Sequence, residues 1–328
     1  MSRAVFVEAP ARLHMGMIDL RGEFGRRYGG IGAALEAPSL LLEARPADGL
    51  SAEGEERERV LACARRFLDR QGVEGGAWLR VHRAIPAHSG LGSGTQLALA
   101  TARALATLFE RPLDSRSLAE ATGRARRSGI GTWAFEQGGF LLEGGRSVSG
   151  DGPAPLLLRR PMPAQWRCVL AIPDVPPGLS GSAEEEAFRD LPPPPAELAG
   201  RVSQLILMVV LPALVEEDLE SFGSGLTAIQ RLVGEMFRPV QGERFAHPLV
   251  AELVEDLLAA GAAGAGQSSW GPAVYGLAAG EDVARSLAGT LRERLRGRGV
   301  VLTTGFDNRG ARCWSAEVQE ATLSGPLG

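Results

Sequence analysis

The segment Pro86-Ala87-His88-Ser89-Gly90-Leu91-Gly92-Ser93-Gly94-Thr95 constrains this chain more than any other stretch, because glycine recurs at alternate positions between two strongly patterned neighbours. Before it, Trp78 to His82 alternates as a strand does. After it, Gly94 to Phe109 places Leu97, Thr101, Leu105 and Leu108 on one helical face, and Pro112 marks the exit. That order sets a helix N-terminus at the loop. Glycines let the backbone approach an anion closely, while successive N–H groups and the start of the helix dipole supply donors and partial positive charge. Ser89, Gly90, Leu91, Gly92, Ser93, Gly94 and Thr95 are therefore the expected phosphate-binding residues. No Lys follows the glycines, as a Walker loop requires, and the third glycine falls one position early for a dinucleotide fingerprint.

All 35 basic residues are Arg. Without lysine there is no Schiff base for pyridoxal phosphate and no P-loop amine on a phosphate, which removes two large enzyme classes. The net charge of −4 offers nucleic acid or anionic lipid no global attraction, so a small-molecule partner is favoured. Cys63, Cys168 and Cys313 are far apart and suggest neither a disulfide framework nor a zinc site. No signal-like segment precedes the first strand pattern. Leu205 to Val215 is short for a bilayer and contains Pro212, so a cytoplasmic protein without a membrane span is expected.

Along the chain, Ala4 to Glu8 and Leu40 to Ala44 read as strands around the glycine-rich stretch 22–32, and Glu55 to Gln71 reads as a helix. A helix from Ser115 to Arg127 leads into Gly129 to Gly145, where small residues and aromatics interleave as in a hairpin. Leu156 to Leu158 and Cys168 to Ile172 are short strands. Pro173 to Pro195 is proline-rich and reads as irregular. Helices over Leu198 to Glu220, Leu226 to Met236 and Pro248 to Ala260 follow. Then come a strand at Ala273 to Leu277, a helix at Asp282 to Arg296, and strands at Val300 to Thr304 and Arg312 to Val318, an α+β order.

The loop resembles the phosphate loop of the GHMP kinase superfamily, Pro, three residues, then Gly-Leu-Gly-Ser-Ser-Ala, in which Pro86, Gly90, Leu91, Gly92 and Ser93 match. Two further family segments appear in order, Ala9-Pro10-Ala11-Arg12-Leu13-His14 and Gly261-Ala262-Ala263-Gly264-Ala265-Gly266-Gln267. The resemblance implies an α+β, GHMP-kinase-like two-domain fold: an N-terminal α/β phosphate-loop domain with a left-handed βαβ crossover over residues 1–160, and a C-terminal ferredoxin-like domain over 161–328.

Two departures argue against phosphoryl transfer. Gly94 stands where the kinases carry a second serine for metal and terminal phosphate, and Gly131 stands where a Gly-Ile-Asp run supplies the aspartate base. Both departures, with Arg12-Leu13-His14, Arg26 to Gly30 and Gly131-Thr132, resemble the ribofuranosylaminobenzene 5′-phosphate synthase branch. That resemblance implies joining of 4-aminobenzoate to phosphoribosyl pyrophosphate with Mg²⁺ assistance and loss of carbon dioxide and pyrophosphate. The electron-rich ring is its own electron sink, consistent with the absence of lysine. It further implies that the loop hydroxyls hold the pyrophosphate, that Arg26 and Arg27 neutralise developing charge, and that Asp19 or Glu136 holds Mg²⁺ or stabilises the oxocarbenium character of the sugar. Arg12, His14, Thr132, Gln267, Ser268 and Ser269 are its further substrate-binding candidates, with Trp133, Phe135 or Trp270 beside the ring. An ATP-dependent small-molecule kinase and a non-catalytic sensor of a phosphorylated ligand remain the alternatives. The apolar helix Leu205 to Leu214 makes a homodimer the expected assembly.

Overall fold

Alternation builds the first sheet. Val5, Val7, Ala9, Ala11, Leu13, Met15 and Met17 are all buried, the period of two that turns one strand face to a core. In the computed structural model, which describes residues 2–125, 127–150, 152–176 and 181–318, they lie in one long strand, β1 (Ser2–Asp19), paired with an equally long β2 (Arg26–Ala47). The sequence suggests two short strands separated by a glycine-rich loop, and the structure corrects this. A Cβ on Gly30 would lie 2.6 Å from the Gly16 carbonyl oxygen, and one on Gly32 would lie 2.4 Å from that of Leu13. These glycines allow two strands to approach closely and do not make a turn.

Next come β3 (Ser51–Glu53), α1 (Arg57–Gln71) and β4 (Gly76–Arg83), with β3 and β4 parallel across the α1 crossover. Helix α2 (Ser93–Leu108) is alanine-rich and buried along most of its length. Helix α3 (Ser115–Ala121) stops earlier than its sequence pattern, and Gly123 in a left-handed conformation turns the chain away. The hairpin expected over Gly129 to Gly145 is instead a helix, α4 (Ile130–Gln137), followed by β5 (Phe140–Glu143). Ile130 and Ala134, one turn apart, pack on Ala34 and Leu141, so the small residues serve helix packing. Strands β6 (Arg146–Ser147) and β7 (Leu156–Arg160) extend this eight-stranded sheet.

The second sheet has the order β11-β8-β10-β9, every neighbouring pair antiparallel. Strand β8 (Trp166–Pro173) is followed by helices α5 (Gly181–Asp190), α6 (Ala196–Leu205), a π-helical turn at Ile206–Val210, α7 (Leu211–Glu216), α8 (Leu219–Gln241) and α9 (Pro248–Ala259). Then come β9 (Gly264–Gln267), β10 (Val274–Ala279), α10 (Gly280–Leu295) and β11 (Gly299–Thr304). A βαββαβ order with the last strand beside the first is the ferredoxin-like arrangement. The proline-rich stretch thus contains a helix, α5; the side chains of residues 181–185 lie outside the described residues.

Strand β12 (Arg312–Val318) returns to the first sheet and pairs with β1 from Ser2 to Glu8. A division after residue 160 assigns this strand to the second half. Its pairing covers an edge of β1 that would otherwise expose a row of backbone donors and acceptors. Helix α8 forms the seam between the sheets. Ile229 sits where a Cβ on Gly16 would come within 2.6 Å, and Gln230 donates to the Met15 carbonyl at 2.6 Å and accepts from the Gln267 N–H at 3.1 Å. The helical stretch Ala196–Glu216 is long and apolar enough to cross a bilayer by length and composition, with 28% of its 18-residue apolar window buried. Val202, Ile206, Val210, Ala213 and Leu214 face the core, while Leu207, Met208 and Val215 face solvent.

Candidate active site

The glycine loop is tied down by its carbonyls. Gly90 and Gly92 take φ values of +90° and +82°, conformations that favour glycine. The Gly90 carbonyl accepts from the Ser268 hydroxyl at 2.8 Å and from an Arg12 guanidinium N–H. The Leu91 carbonyl accepts from the Arg12 N–H at 3.0 Å, and the Ser89 carbonyl from the Ala273 N–H at 3.0 Å. A Cβ on Gly90 would sit 2.1 Å from the Ser268 carbonyl oxygen, so only glycine fits against the 268–271 turn. With the carbonyls engaged and Gly92 capping α2, the N–H groups of Ser93 and Gly94 open the helix where its first donors have no partner in the ladder.

Arginines surround this helix start. Arg12 passes under Gly92, whose Cβ would come within 3.1 Å of the Arg12 Cγ. A Cβ on Gly94 would lie 3.2 Å from Nη2 of Arg59, and 3.4 and 3.6 Å from Nη1 and Nη2 of Arg124. Arg59, Cys63 and Arg66 are spaced i, i+4, i+7 on α1, one stripe of the helix. That stripe was the available sequence signal for these unpredicted residues; Arg124 follows α3 in a turn and carried none.

The structure also gives the two missing kinase groups a steric context. A Cβ on Gly131 would lie 3.0 Å from Cγ2 and 3.3 Å from Cβ of Thr95, and the Gln96 amide holds the Gly131 carbonyl at 2.8 Å. Thr95 fills the space beside Gly131, leaving little room for an aspartate.

The other expected residues separate into three groups. Ser89, His14, Gln267, Ser268 and Ser269 lock the loop to the second half. The Ser89 hydroxyl donates to the Pro86 carbonyl at 2.7 Å, Ser268 Oγ accepts from the His14 N–H at 3.1 Å, and the Ser269 N–H donates to the His14 carbonyl at 3.3 Å. Gln267 accepts from the Ala246 N–H at 2.9 Å and donates to the Ser269 carbonyl at 2.8 Å. His14 Nε2 and the Thr132 hydroxyl are buried without a hydrogen-bond partner. Burial, with help from the Arg12 charge, lowers the His14 pKa to about 3, so its ring is neutral.

Asp19, Arg26 and Arg27 form the second group. With Arg21, Phe24 and Tyr28 they line a cleft of about 460 Å³. Asp19 caps the β1–β2 turn by accepting from the Arg21 N–H at 2.7 Å, Arg26 donates to the Gly145 carbonyl at 2.9 Å, and Arg27 donates to the Leu20 carbonyl at 2.7 Å. Asp19 is seven positions beyond Arg12 on β1, roughly 20 Å of strand, so this cleft and the loop are separate subsites. Glu136 stands apart from both: it is exposed, and burial of part of its surface with the Asp114 charge raises its pKa against the pull of Arg103. Arg103 lies ten positions from Ser93 on α2, roughly 15 Å of helix rise. Among the described residues no three His, Cys, Asp or Glu side chains gather as a metal site, and Asp19, at the end of β1, and Glu136, on α4, lie on separate elements.

The aromatic candidates serve packing. Trp133 donates to the Ala154 carbonyl at 3.0 Å, and Phe135 is buried. Trp270 packs edge-on to Phe237 with ring centroids 4.7 Å apart. It lines a cavity of about 50 Å³ with His14 and Gln230, too small for a benzene ring.

Glu143 is the site residue that the sequence reading missed. It ends β5, pairs with Gly30 on β2, and is fully buried. Its Oε2 accepts from the Gly129 N–H at 2.5 Å, while Oε1 has no hydrogen-bond partner. Burial pushes its pKa up to about 7 despite the Ser128 and Gly129 hydrogen bonds and the Arg12 charge. A charged residue closing a strand that is otherwise apolar was its only sequence signal.

A glycine loop at a helix start between an α/β sheet and a ferredoxin-like sheet places this chain in the GHMP kinase superfamily. The GHMP kinases N terminal domain matches residues 58–139, and the GHMP kinases C terminal family matches residues 210–297. Within it, the chain belongs to the β-ribofuranosylphenol 5′-phosphate synthase family. It is 37% identical over 328 residues to the synthase of that name from Methanothermobacter thermautotrophicus, covering 94% of this chain and 98% of the relative. It is 32% identical to that of Methanocaldococcus jannaschii, covering 94% and 100%. Homoserine kinase from Cytophaga hutchinsonii shares the fold with a TM-score of 0.66 at 18% identity, covering 95% of this chain and 97% of that structure.

Proposed function

We propose that the protein transfers the ribosyl 5-phosphate unit of phosphoribosyl pyrophosphate to the ring of a benzoate bearing a para electron donor. The C1′–O bond to pyrophosphate breaks and a bond forms from C1′ to the ring carbon that carries the carboxylate. The carbon–carboxylate bond then breaks, its electron pair restores aromaticity, and carbon dioxide leaves. The cation-lined loop in which Gly94 and Gly131 replace the phosphoryl-transfer groups carries this reading. The relatives' name, a ribofuranosylphenol phosphate, points to 4-hydroxybenzoate as acceptor, and the branch resemblance points to 4-aminobenzoate. Either para group pushes electrons to the attacking carbon.

The loop N–H groups with Ser93 and Thr95 grip the diphosphate. Mg²⁺ carried on the diphosphate would be held with it at this loop and would supply charge neutralisation on the leaving group. Glu143 is the candidate proton acceptor for the para group, since a base functions best with a pKa near the working pH. The Arg26 and Arg27 cleft is the candidate second anion subsite. The same reading includes a place in tetrahydromethanopterin biosynthesis, a cytoplasmic location, and a homodimer closed over Leu207, Met208 and Val215.

The deciding experiment supplies phosphoribosyl pyrophosphate and Mg²⁺ with 4-hydroxybenzoate or 4-aminobenzoate. One carbon dioxide and one pyrophosphate per ribosylated arene are expected, and the ratio of kcat/KM values identifies the acceptor. ADP release with ATP and an alcohol, and no carbon dioxide with either benzoate, would overturn the proposal in favour of a kinase.

A further inference from the structure

We propose that Arg59 and Arg124 form the diphosphate-binding clamp of this protein, over the space that Gly94 leaves open by lacking a side chain. The geometry comes first. Guanidinium nitrogens of both residues come within 3.2 to 3.6 Å of where a Cβ on Gly94 would stand, directly beside the free N–H groups that begin α2. They approach from unrelated parts of the chain, α1 and the turn after α3, so neither local structure nor one helix brings them together.

The local charge balance points the same way. Arg59 is ion-paired with Glu56 at 2.7 Å, and Arg66 donates to the Thr122 carbonyl at 3.1 Å. Among the described residues no carboxylate lies within ion-pair distance of Arg66 or Arg124. Arg124 is largely buried beside Cys63, and burial, with the charges of Arg59 and Arg66, lowers its pKa. Holding like charges together with so little counter-charge is unfavourable. A ligand of high negative charge offsets that cost, and guanidinium forks match its paired oxygens. The serine of the kinase loop would press its Cβ on Arg59; glycine at 94 makes room for both forks.

The inference rests on the donor reading above only for the identity of the ligand, since a diphosphate can be tested alone. Binding of inorganic pyrophosphate with Mg²⁺ is measured by calorimetry on the wild-type protein, on Arg59→Met, on Arg124→Met and on Arg124→Lys. Arg285→Met, on the exposed face of α10, is the control. A charge-assisted hydrogen bond lost from each clamp predicts affinity about 10- to 100-fold weaker for both Met variants. A smaller loss is expected for Arg124→Lys, and no change for the control. If Arg124→Met does not fold, Arg59→Met and Arg124→Lys carry the same comparison.

Wild-type affinity in both Arg59→Met and Arg124→Lys would overturn the clamp even if the protein ribosylates benzoates. Weakened pyrophosphate binding in the variants of a protein inert towards phosphoribosyl pyrophosphate would retain the clamp and reject the donor reading.

Discussion

Replacing Glu143 by Gln tests the electrostatics of the site through stability. The carboxyl is fully buried, and its pKa rises from an ordinary 4.5 to about 7 because burial disfavours the charge more than Ser128, Gly129 and Arg12 favour it. The folded protein therefore keeps this proton in a pH range where the unfolded chain releases it. Its contribution is fully present below pH 4.5 and is lost as the pH rises through about 7. Over that interval, at about 1.4 kcal/mol per pH unit, the wild type loses about 3 kcal/mol from this group. The glutamine side chain stays neutral at every pH, and its amide oxygen can still accept from the Gly129 N–H. Chemical denaturation of both proteins at pH 5 and pH 8 reads the effect. Glu143→Gln should gain about 2.5 kcal/mol on the wild type between the two pH values, and turnover should fall sharply if the carboxylate accepts a proton. Parallel stability curves would refute the argument, because they would mean that Arg12 holds the group ionised at both pH values.

His14 should behave in the opposite sense. Its folded pKa is depressed to about 3 from 6.5, so stability is full above pH 6.5 and falls as the pH drops towards 3, by about 1.4 kcal/mol per unit; acid titration of His14→Gln should be flatter by that slope. Ser268→Ala removes the hydroxyl that joins the Gly90 carbonyl to the His14 N–H and should cost about 1–3 kcal/mol in denaturation. Gly90→Ala forces a Cβ to 2.1 Å from a carbonyl oxygen at a φ of +90°, and little folded protein should be recovered on expression. Leu207→Glu with Met208→Glu places charges on the exposed helix face; where the proposed homodimer closes over that face, the pair should yield a monomer in analytical ultracentrifugation, with helix content unchanged by circular dichroism.

What the sequence determined by itself was local. Glycine spacing beside a helix pattern defines the loop, because a loop, its helix start and its unpaired N–H groups are consecutive in the chain. The α+β order is legible for the same reason, since each helix and strand carries its own period. The absence of lysine excludes whole chemistries whatever the fold. Tertiary structure alone decided which side chains meet. Ser268 reaches Gly90 across 178 positions, Arg124 and Arg59 meet over Gly94, Thr95 fills the space beside Gly131, and Glu143 becomes a high-pKa acid only because β5 carries it into the core. It likewise put Arg26 and Arg27 a strand's length from the loop, and turned glycines that read as a flexible link into the closest contacts between two strands. Burial, and the charges that gather from distant segments, are properties of the packed chain, and no local pattern encodes them.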